Sequence, residues 1–251
     1  MLTPGNAESS RPSVATTSCP ADKPEAFDVQ MGGVADGADV PSWEGIKEAS
    51  PAICRTLNKP DFTTDFWTNN IKTWAPLMEE LEPKVVIEIG SFEGRSALWM
   101  LENIPSIEKI YCVDTWEGSE ELHGWDIANS YSRFCRNLAG WEAKVREVHQ
   151  PSNIGLRKLF DQQVKADLIY IDGSHTAPDC LTDAILAWPL LKIGGLMVFD
   201  DYLWRPSYVP GDSIVHAPKI AVDAFTTIFD EKMSILAVNN IYQIYVLKKA
   251  E

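Results

Sequence analysis

From Lys84 onward, apolar and polar positions alternate between two regimes. Short apolar runs of strand length occupy 84–90 (KVVIEIG), 109–114 (KIYCVD), 144–148 (KVREV), 166–172 (ADLIYID) and 194–199 (GGLMVF). Longer amphipathic stretches lie between them and predict helices near 94–104, 128–139, 153–163 and 177–191, with a further one at 217–230. Strands that alternate with helices in this way build a parallel sheet covered on both faces. Gly194-Gly195 reads as the end of one helix and the start of the fifth strand. The tail, MSILAV-NN-IYQIYVLKK, reads as two strands joined by a two-residue turn at Asn239-Asn240. The expected fold is therefore α/β. It is a doubly wound, Rossmann-like, seven-stranded sheet, mostly parallel, with a C-terminal antiparallel hairpin and helices on both faces.

Upstream the pattern changes. Residues 1–40 carry few large apolar side chains and many Pro, Ser, Thr, Ala and Gly, which predicts a flexible leader. Between 41 and 82, Trp43, Ile46, Ile53, Phe62, Phe66, Trp67, Ile71, Trp74, Leu77, Met78 and Leu81 recur at near-helical spacing. This predicts an N-terminal helical segment or lid, stopped by Pro83, ahead of a main domain at 83–251. Such a segment is also compatible with packing on a second copy of the chain, hence a homo-oligomer.

Composition narrows the class. With 251 residues and 45% hydrophobic content, the chain can bury a full core. A net charge of −14 argues against generic binding to nucleic acid or to an anionic membrane. No apolar run approaches the roughly 18 residues of a membrane span. The five scattered cysteines form no CxxC pair and suggest neither zinc nor a disulfide framework. A reducing, cytoplasmic setting is the simplest expectation.

In an open α/β sheet, ligands sit outside the carboxyl ends of the strands. The first strand ends in VVIEIGSFEGRS, with spacing Glu88-x-Gly90-x-x-x-Gly94 rather than the Gly-x-Gly-x-x-Gly of dinucleotide binders. Glu88 brings a carboxylate towards that turn. It would repel a pyrophosphate but suits a cationic, amino-acid-bearing cofactor such as S-adenosylmethionine. Asp114 ends the second strand, where a carboxylate can accept hydrogen bonds from both ribose hydroxyls; it could equally cap a turn. Trp116 is a candidate to stack on adenine, or a core residue. Ser152, within Gln150–Asn153, is a candidate for the adenine edge, or a helix cap.

The fourth and fifth strands deliver Asp172, Asp200 and Asp201. Three carboxylates in one crevice repel and raise each other's pKa, and a bound cation removes that conflict. Oxygen ligands select a hard ion: Mg²⁺, or Mn²⁺ or Ca²⁺. His175 lies three residues after Asp172, placed to take a proton near neutral pH. Trp67, Trp74, Tyr202, Trp204 and Tyr208 are candidates for walls that exclude water.

At these residues the chain resembles class I S-adenosylmethionine-dependent methyltransferases. It is most similar to the metal-dependent small-molecule O-methyltransferases, in the branch acting on macrolide and aminocoumarin sugars, with catechol O-methyltransferase a more distant relative. The resemblance covers roughly 65–248, through VVIEIGSFEGRSAL, IYCVDTWEG, ADLIYIDGSHTAPDCLTDAILAWPLLKIGGLMVFDDY and the terminal hairpin. It implies that Glu88, Gly90, Ser91 and Ser96 surround the methionine part of the cofactor and that Asp114 holds the ribose. Asp172, Asp200 and Asp201 would ligate Mg²⁺, and the base would fall at His175, where catechol-type enzymes carry lysine. Ser174 stands where some sugar-modifying relatives have a second acid. The implied reaction is methyl transfer to a hydroxyl of a sugar, a catechol-like ring or another vicinal diol. Two other readings fit a Rossmann-like sheet: a non-catalytic methyltransferase-like binding module, and a nicotinamide-dependent oxidoreductase.

Overall fold

The computed structural model describes residues 59–118, 126–205 and 214–251. The leader, the first part of the segment predicted at 41–82 (with Trp43, Ile46 and Ile53) and Tyr208 lie outside the described residues.

Five parallel strands follow the apolar runs: β1 (Val85–Ile89), β2 (Lys109–Asp114), β3 (Val145–His149), β4 (Ala166–Ile171) and β5 (Leu191–Phe199). Two more, β6 (Met233–Ile235) and β7 (Ile244–Lys248), pair antiparallel to each other, and β7 pairs antiparallel to β5. The order across the seven-stranded sheet is β3-β2-β1-β4-β5-β7-β6. Chain direction reverses its progress across the sheet between β1 and β4, the point where an open α/β sheet leaves a crevice.

Helices α1 (Ile71–Leu81), α2 (Arg95–Asn103) and α3 (Ser130–Asn137) cover one face. Helices α4 (Ser152–Asp161), α5 (Ala177–Ala187) and α6 (Lys219–Ile228) cover the other. Alternate residues of β1 feed the two cores: Val86 packs with Trp74, Met100 and Tyr170, while Ile87 and Ile89 pack with Leu156, Cys180 and Phe225. Being buried on both faces is what makes this strand read as a continuous apolar run. Helix α1 buries Trp74 and Met78 and ends on Glu82 in a left-handed conformation (φ 45°), just before Pro83.

Two expectations change. The Gly194-Gly195 pair does not start β5. Helix α5 gives way to a 3-10 turn at Trp188–Leu190, and the strand begins at Leu191. The glycines instead form a bulge, because the pairing with β4 jumps from Ala166–Leu191 to Leu168–Leu196. Gly194 has φ +81°, and a Cβ on Gly195 would lie 2.7 Å from the Leu191 side chain. The C-terminal hairpin is present, but residues 236–243 connect its strands rather than a two-residue turn. The Asn240 amide is used elsewhere, donating to Asn70 and Gln243.

Cys112 and Cys180 are buried free thiols. Among the described residues no helix is long and apolar enough to cross a membrane.

Candidate functional site

The carboxyl edge of β1, β2, β4 and β5 opens into a cavity of about 1230 Å³. Gly90, Asp114, Trp116, Ser152, Asp172, His175, Asp200 and Asp201 all line it.

The β1 turn is built by close approach. Gly90 has φ +85°, and a Cβ there would sit 2.0 Å from the Asp172 carbonyl oxygen. Only glycine lets the tips of β1 and β4 meet in this way. Asp114 then organises the turn from β2. Its Oδ2 accepts the Ser91 and Phe92 N–H groups (2.9 and 2.8 Å), and its Oδ1 accepts the Trp116 N–H (2.7 Å). Asp114 thus acts as a turn cap while it faces the cavity, and a carboxylate oxygen can accept a second donor. Phe92 (φ 44°) and Trp116 (φ 52°) both take left-handed conformations beside it. Such strain in non-glycine residues collects at ligand-binding edges.

Glu88 and Ser96 do not line the cavity. Glu88 is fully buried beneath the turn, and the Ser91 and Ser96 hydroxyls donate to its two oxygens. Burial pushes its carboxyl up to about 7, against the pull of those hydroxyls. Ser91 and Gly94 also sit behind the cavity surface. Gly94, at φ +78°, packs against Phe134 and Leu138, so its lack of a side chain serves the start of α2.

On the β2 side, Trp116 is 7% exposed, donates its indole N–H to the Phe92 carbonyl (2.7 Å), meets His149 edge-on and packs at a tilt against Tyr131 and Phe134. It offers the cavity a held edge rather than a free face. Ser152 begins α4, beside Asp183 of α5, and both line the cavity. Asp183 is 2% exposed, and burial pushes its carboxyl up to about 7.

The acidic cluster lies on the β4–β5 side. Ligand atoms of Asp172, His175 and Asp201 fall within 4.8 Å of one another, and His175 Nε2 is 2.8 Å from Asp201 Oδ2. The β5 turn presents Asp201 with φ 52°, another non-glycine in the left-handed region. Burial, then the charges of Asp200 and Asp201, hold the Asp172 carboxyl well above the usual range. Asp200 is turned to one side. Tyr170 and Gln243 donate to its Oδ2, and the Asp201 N–H donates to its Oδ1 (2.8 Å). Burial, then Asp201, pushes Asp200 up to about 6.

Residues from Phe66 to Thr73 wall the far side, and the stretch before them is tied down. Thr63 donates twice to Glu93 (2.7 Å each), Arg95 donates to the Thr64 carbonyl (2.7 Å), and Asn137 holds Asp61. This strap leads into α1, and Phe66, Trp67, Asn69, Lys72 and Thr73 line the cavity. Of the aromatic candidates, Trp67 and Trp204 are wall residues. Trp204 packs on the His175 ring, with centroids 4.6 Å apart. Trp74 is a core residue at 0% exposure, and Tyr202 pairs with Asp223 and Lys219 outside the cavity.

Sequence reasoning did not single out Glu93, Tyr170, Asp183 or Gln243. The available signal was a polar residue inside an otherwise apolar run: Asp183 in AILAW-flanked α5, and Gln243 in IYQIYV. A buried polar side chain at such a position must have partners.

Residues 87–202 match the family model described as a methyltransferase domain. A curated relative from Arabidopsis thaliana, named a probable caffeoyl-CoA O-methyltransferase, is 24% identical over 161 residues, 63% of this chain and 65% of the relative. The chain spans 50% to 65% of the length of the curated relatives it matches. Among solved structures, the O-methyltransferase TomG from Streptomyces achromogenes, in complex with S-adenosylmethionine, superposes with a TM-score of 0.55 at 18% identity, covering 84% of this chain and 92% of TomG. The methyltransferase MycE of mycinamycin biosynthesis, in complex with Mg, S-adenosylhomocysteine and mycinamycin VI, gives 0.51 at 17% identity, covering 74% of this chain and 51% of MycE. At these identities the likeness establishes the fold.

Proposed function

We propose that this chain, which carries a class I methyltransferase domain, transfers a methyl group from S-adenosylmethionine to a hydroxyl of a small-molecule acceptor. A hard divalent cation, Mg²⁺ first among them, assists at its carboxylates. One observation carries the reading: the Gly90 turn with Asp114, and the cluster of Asp172, His175 and Asp201, open into a single cavity. TomG binds S-adenosylmethionine and MycE binds Mg and S-adenosylhomocysteine on the same fold, which supports both halves.

The residues fit a cation. A buried carboxylate held well above its ordinary range by two neighbouring acids is stabilised when a positive charge arrives. Asp172 and Asp201 would hold the ion, with Asp200 beside them and His175 within reach. When bound, S-adenosylmethionine supplies the electrophilic methyl group, and the cation acidifies the acceptor hydroxyl.

The protein's own groups do the rest. Asp114 accepts from the ribose hydroxyls, and Trp116 and Ser152 border the adenine. The close Gly90–Asp172 approach sets donor and acceptor compartments side by side, so alignment supplies much of the rate. His175 takes the acceptor proton, and the Asp201 carboxylate 2.8 Å away stabilises the imidazolium so formed. Trp204, packed on the imidazole, keeps bulk water from it. The acceptor lies against α1. A sugar, a catechol-like ring or another vicinal diol offers the paired oxygens that this chemistry uses.

The test combines binding and turnover. Calorimetry with S-adenosylhomocysteine is expected to show one site per chain. Methylation of a panel of sugars and catechols should require Mg²⁺ and stop with EDTA. Asp201→Ala should lower Mg²⁺-dependent turnover on the order of 100-fold while S-adenosylhomocysteine affinity stays within about twofold. Absence of S-adenosylhomocysteine binding overturns the donor half. Undiminished turnover in EDTA overturns the cation.

A further inference from the structure

A buried hydrogen-bond chain runs from helix α1 to the carboxylates, and Gln243 is its centre. Gln243 is 1% exposed. Its Oε1 accepts from Trp74 Nε1 (2.9 Å), from Asn240 Nδ2 (3.1 Å) and from the Tyr245 hydroxyl. Three donors on one oxygen settle which end of the amide is which: the other end, Nε2, must donate, and it donates to Asp200 Oδ2 at 2.9 Å. The Tyr170 hydroxyl bridges Asp200 Oδ2 and Asp172 Oδ2, the latter at 3.0 Å. With the Asp201 N–H on Oδ1, both Asp200 oxygens are held. At the far end, Trp74 and Asn70 belong to the segment whose Asn69, Lys72 and Thr73 line the acceptor side of the cavity, and Asn240 also donates to Asn70 (3.1 Å).

We propose that Gln243 is a positioning residue for the carboxylate centre. By donating to Asp200 while accepting from Trp74 and Asn240, it fixes the orientation of Asp200 and ties the acceptor wall to the ion-binding groups. This rests on the carboxylate reading given above. A carboxylate gripped by oriented donors has little rotational freedom, and partners of this kind set ligand geometry and affinity around a metal. Gln243 touches neither the ion nor the acceptor; it acts through Asp200. The wall and the centre therefore move as one unit, so that a distortion of α1 is felt at the ion.

Mn²⁺ serves as the probe ion, titrated into the full chain without acceptor and followed by the loss of its free electron-paramagnetic-resonance signal. S-adenosylhomocysteine affinity is measured in parallel to show that the donor half remains folded. Gln243→Met, which keeps the volume and removes the amide, is expected to weaken Mn²⁺ binding about 10- to 100-fold with S-adenosylhomocysteine affinity within about twofold. Trp74→Phe deletes one donor to Gln243 and leaves every contact of Asp200 in place. It is expected to weaken Mn²⁺ binding by about threefold, and it decides the matter if Gln243→Met does not fold. Wild-type Mn²⁺ affinity in a folded Gln243→Met chain overturns the positioning role, as does wild-type affinity in Trp74→Phe if that variant alone folds. A wild-type chain that binds no Mn²⁺ overturns the carboxylate reading itself, and the positioning role with it.

Discussion

Gly90 shows how a single residue can gate the site. Its φ of +85° and the 2.0 Å that would separate a Cβ from the Asp172 carbonyl oxygen leave no room for any side chain. Gly90→Ala is expected to push the β1 and β4 tips apart and weaken S-adenosylhomocysteine binding at least about 10-fold, given a left-handed penalty of about 1–2 kcal/mol before the clash is counted. Calorimetry on a variant with unchanged circular dichroism checks this. The turn was legible at this scale, because Glu88, Gly90 and Gly94 stand at a spacing that no dinucleotide motif uses. Where Glu88 points was not. The sequence places a carboxylate near the turn, but only the packing of Ser91 and Ser96 against it shows that it faces inward. Asp200 was similar. A pair of adjacent acids after a strand says nothing about which of them Tyr170 and Gln243 will occupy.

At the scale of elements, the strap at 61–65 depends on Glu93. That carboxylate is 2% exposed, accepts two bonds from Thr63 and pairs with Arg133 at 3.3 Å. Glu93→Ala is expected to release the strap without unfolding the sheet. Hydrogen exchange at residues 61–65 should rise by about 10-fold or more, while β1 and β4 amides keep their protection. Helix α5 offers a second check. Thr176 caps it through the Asp179 N–H, and Ser174 and Thr176 both donate to the Asp179 carboxylate. Thr176→Ala is expected to cost about 1 kcal/mol in urea denaturation. Periodicity alone located the parallel strands and most helices, because each is amphipathic or wholly buried. It misplaced the start of β5 and the length of the hairpin connection, where glycines and asparagines carry two meanings. Gly194-Gly195 can end a helix or kink a strand, and Asn239-Asn240 can turn a hairpin or spend an amide on a distant partner. Tertiary contacts choose between them, as Asn70 and Gln243 do for Asn240.

At the scale of the whole molecule, two buried acids make stability depend on pH. Glu88 and Asp183 are each pushed up to about 7 by burial, from ordinary values of 4.5 and 3.8. The folded chain therefore keeps protons that the unfolded chain has already released. Stability is fullest below about pH 4, as far as these two groups go, falls as pH rises towards 7 and levels off above it. The loss is at most about 3 kcal/mol for Glu88 and about 4 kcal/mol for Asp183. Asp183→Asn is expected to flatten this fall by its own share. Urea midpoints at pH 5, 6, 7 and 8 measure it, and a wild-type profile that rises between pH 5 and 7 would contradict the assignment. The two-faced core follows from the same burial pattern and was legible in the sequence, whereas the order of strands across the sheet comes from pairing that no local pattern states. The wall made by Phe66 to Thr73 was legible only as helical aromatics, since nothing local says which cavity they border.

The triple grip of Asp114 on the backbone of Ser91, Phe92 and Trp116 has a thermodynamic corollary. On the proposed reading, the stretch of the donor crevice that these three bonds fix takes its shape before any nucleoside arrives. Those residues would then lose little ordering entropy on association, and their share of the heat-capacity change would come from apolar surface covered rather than from folding.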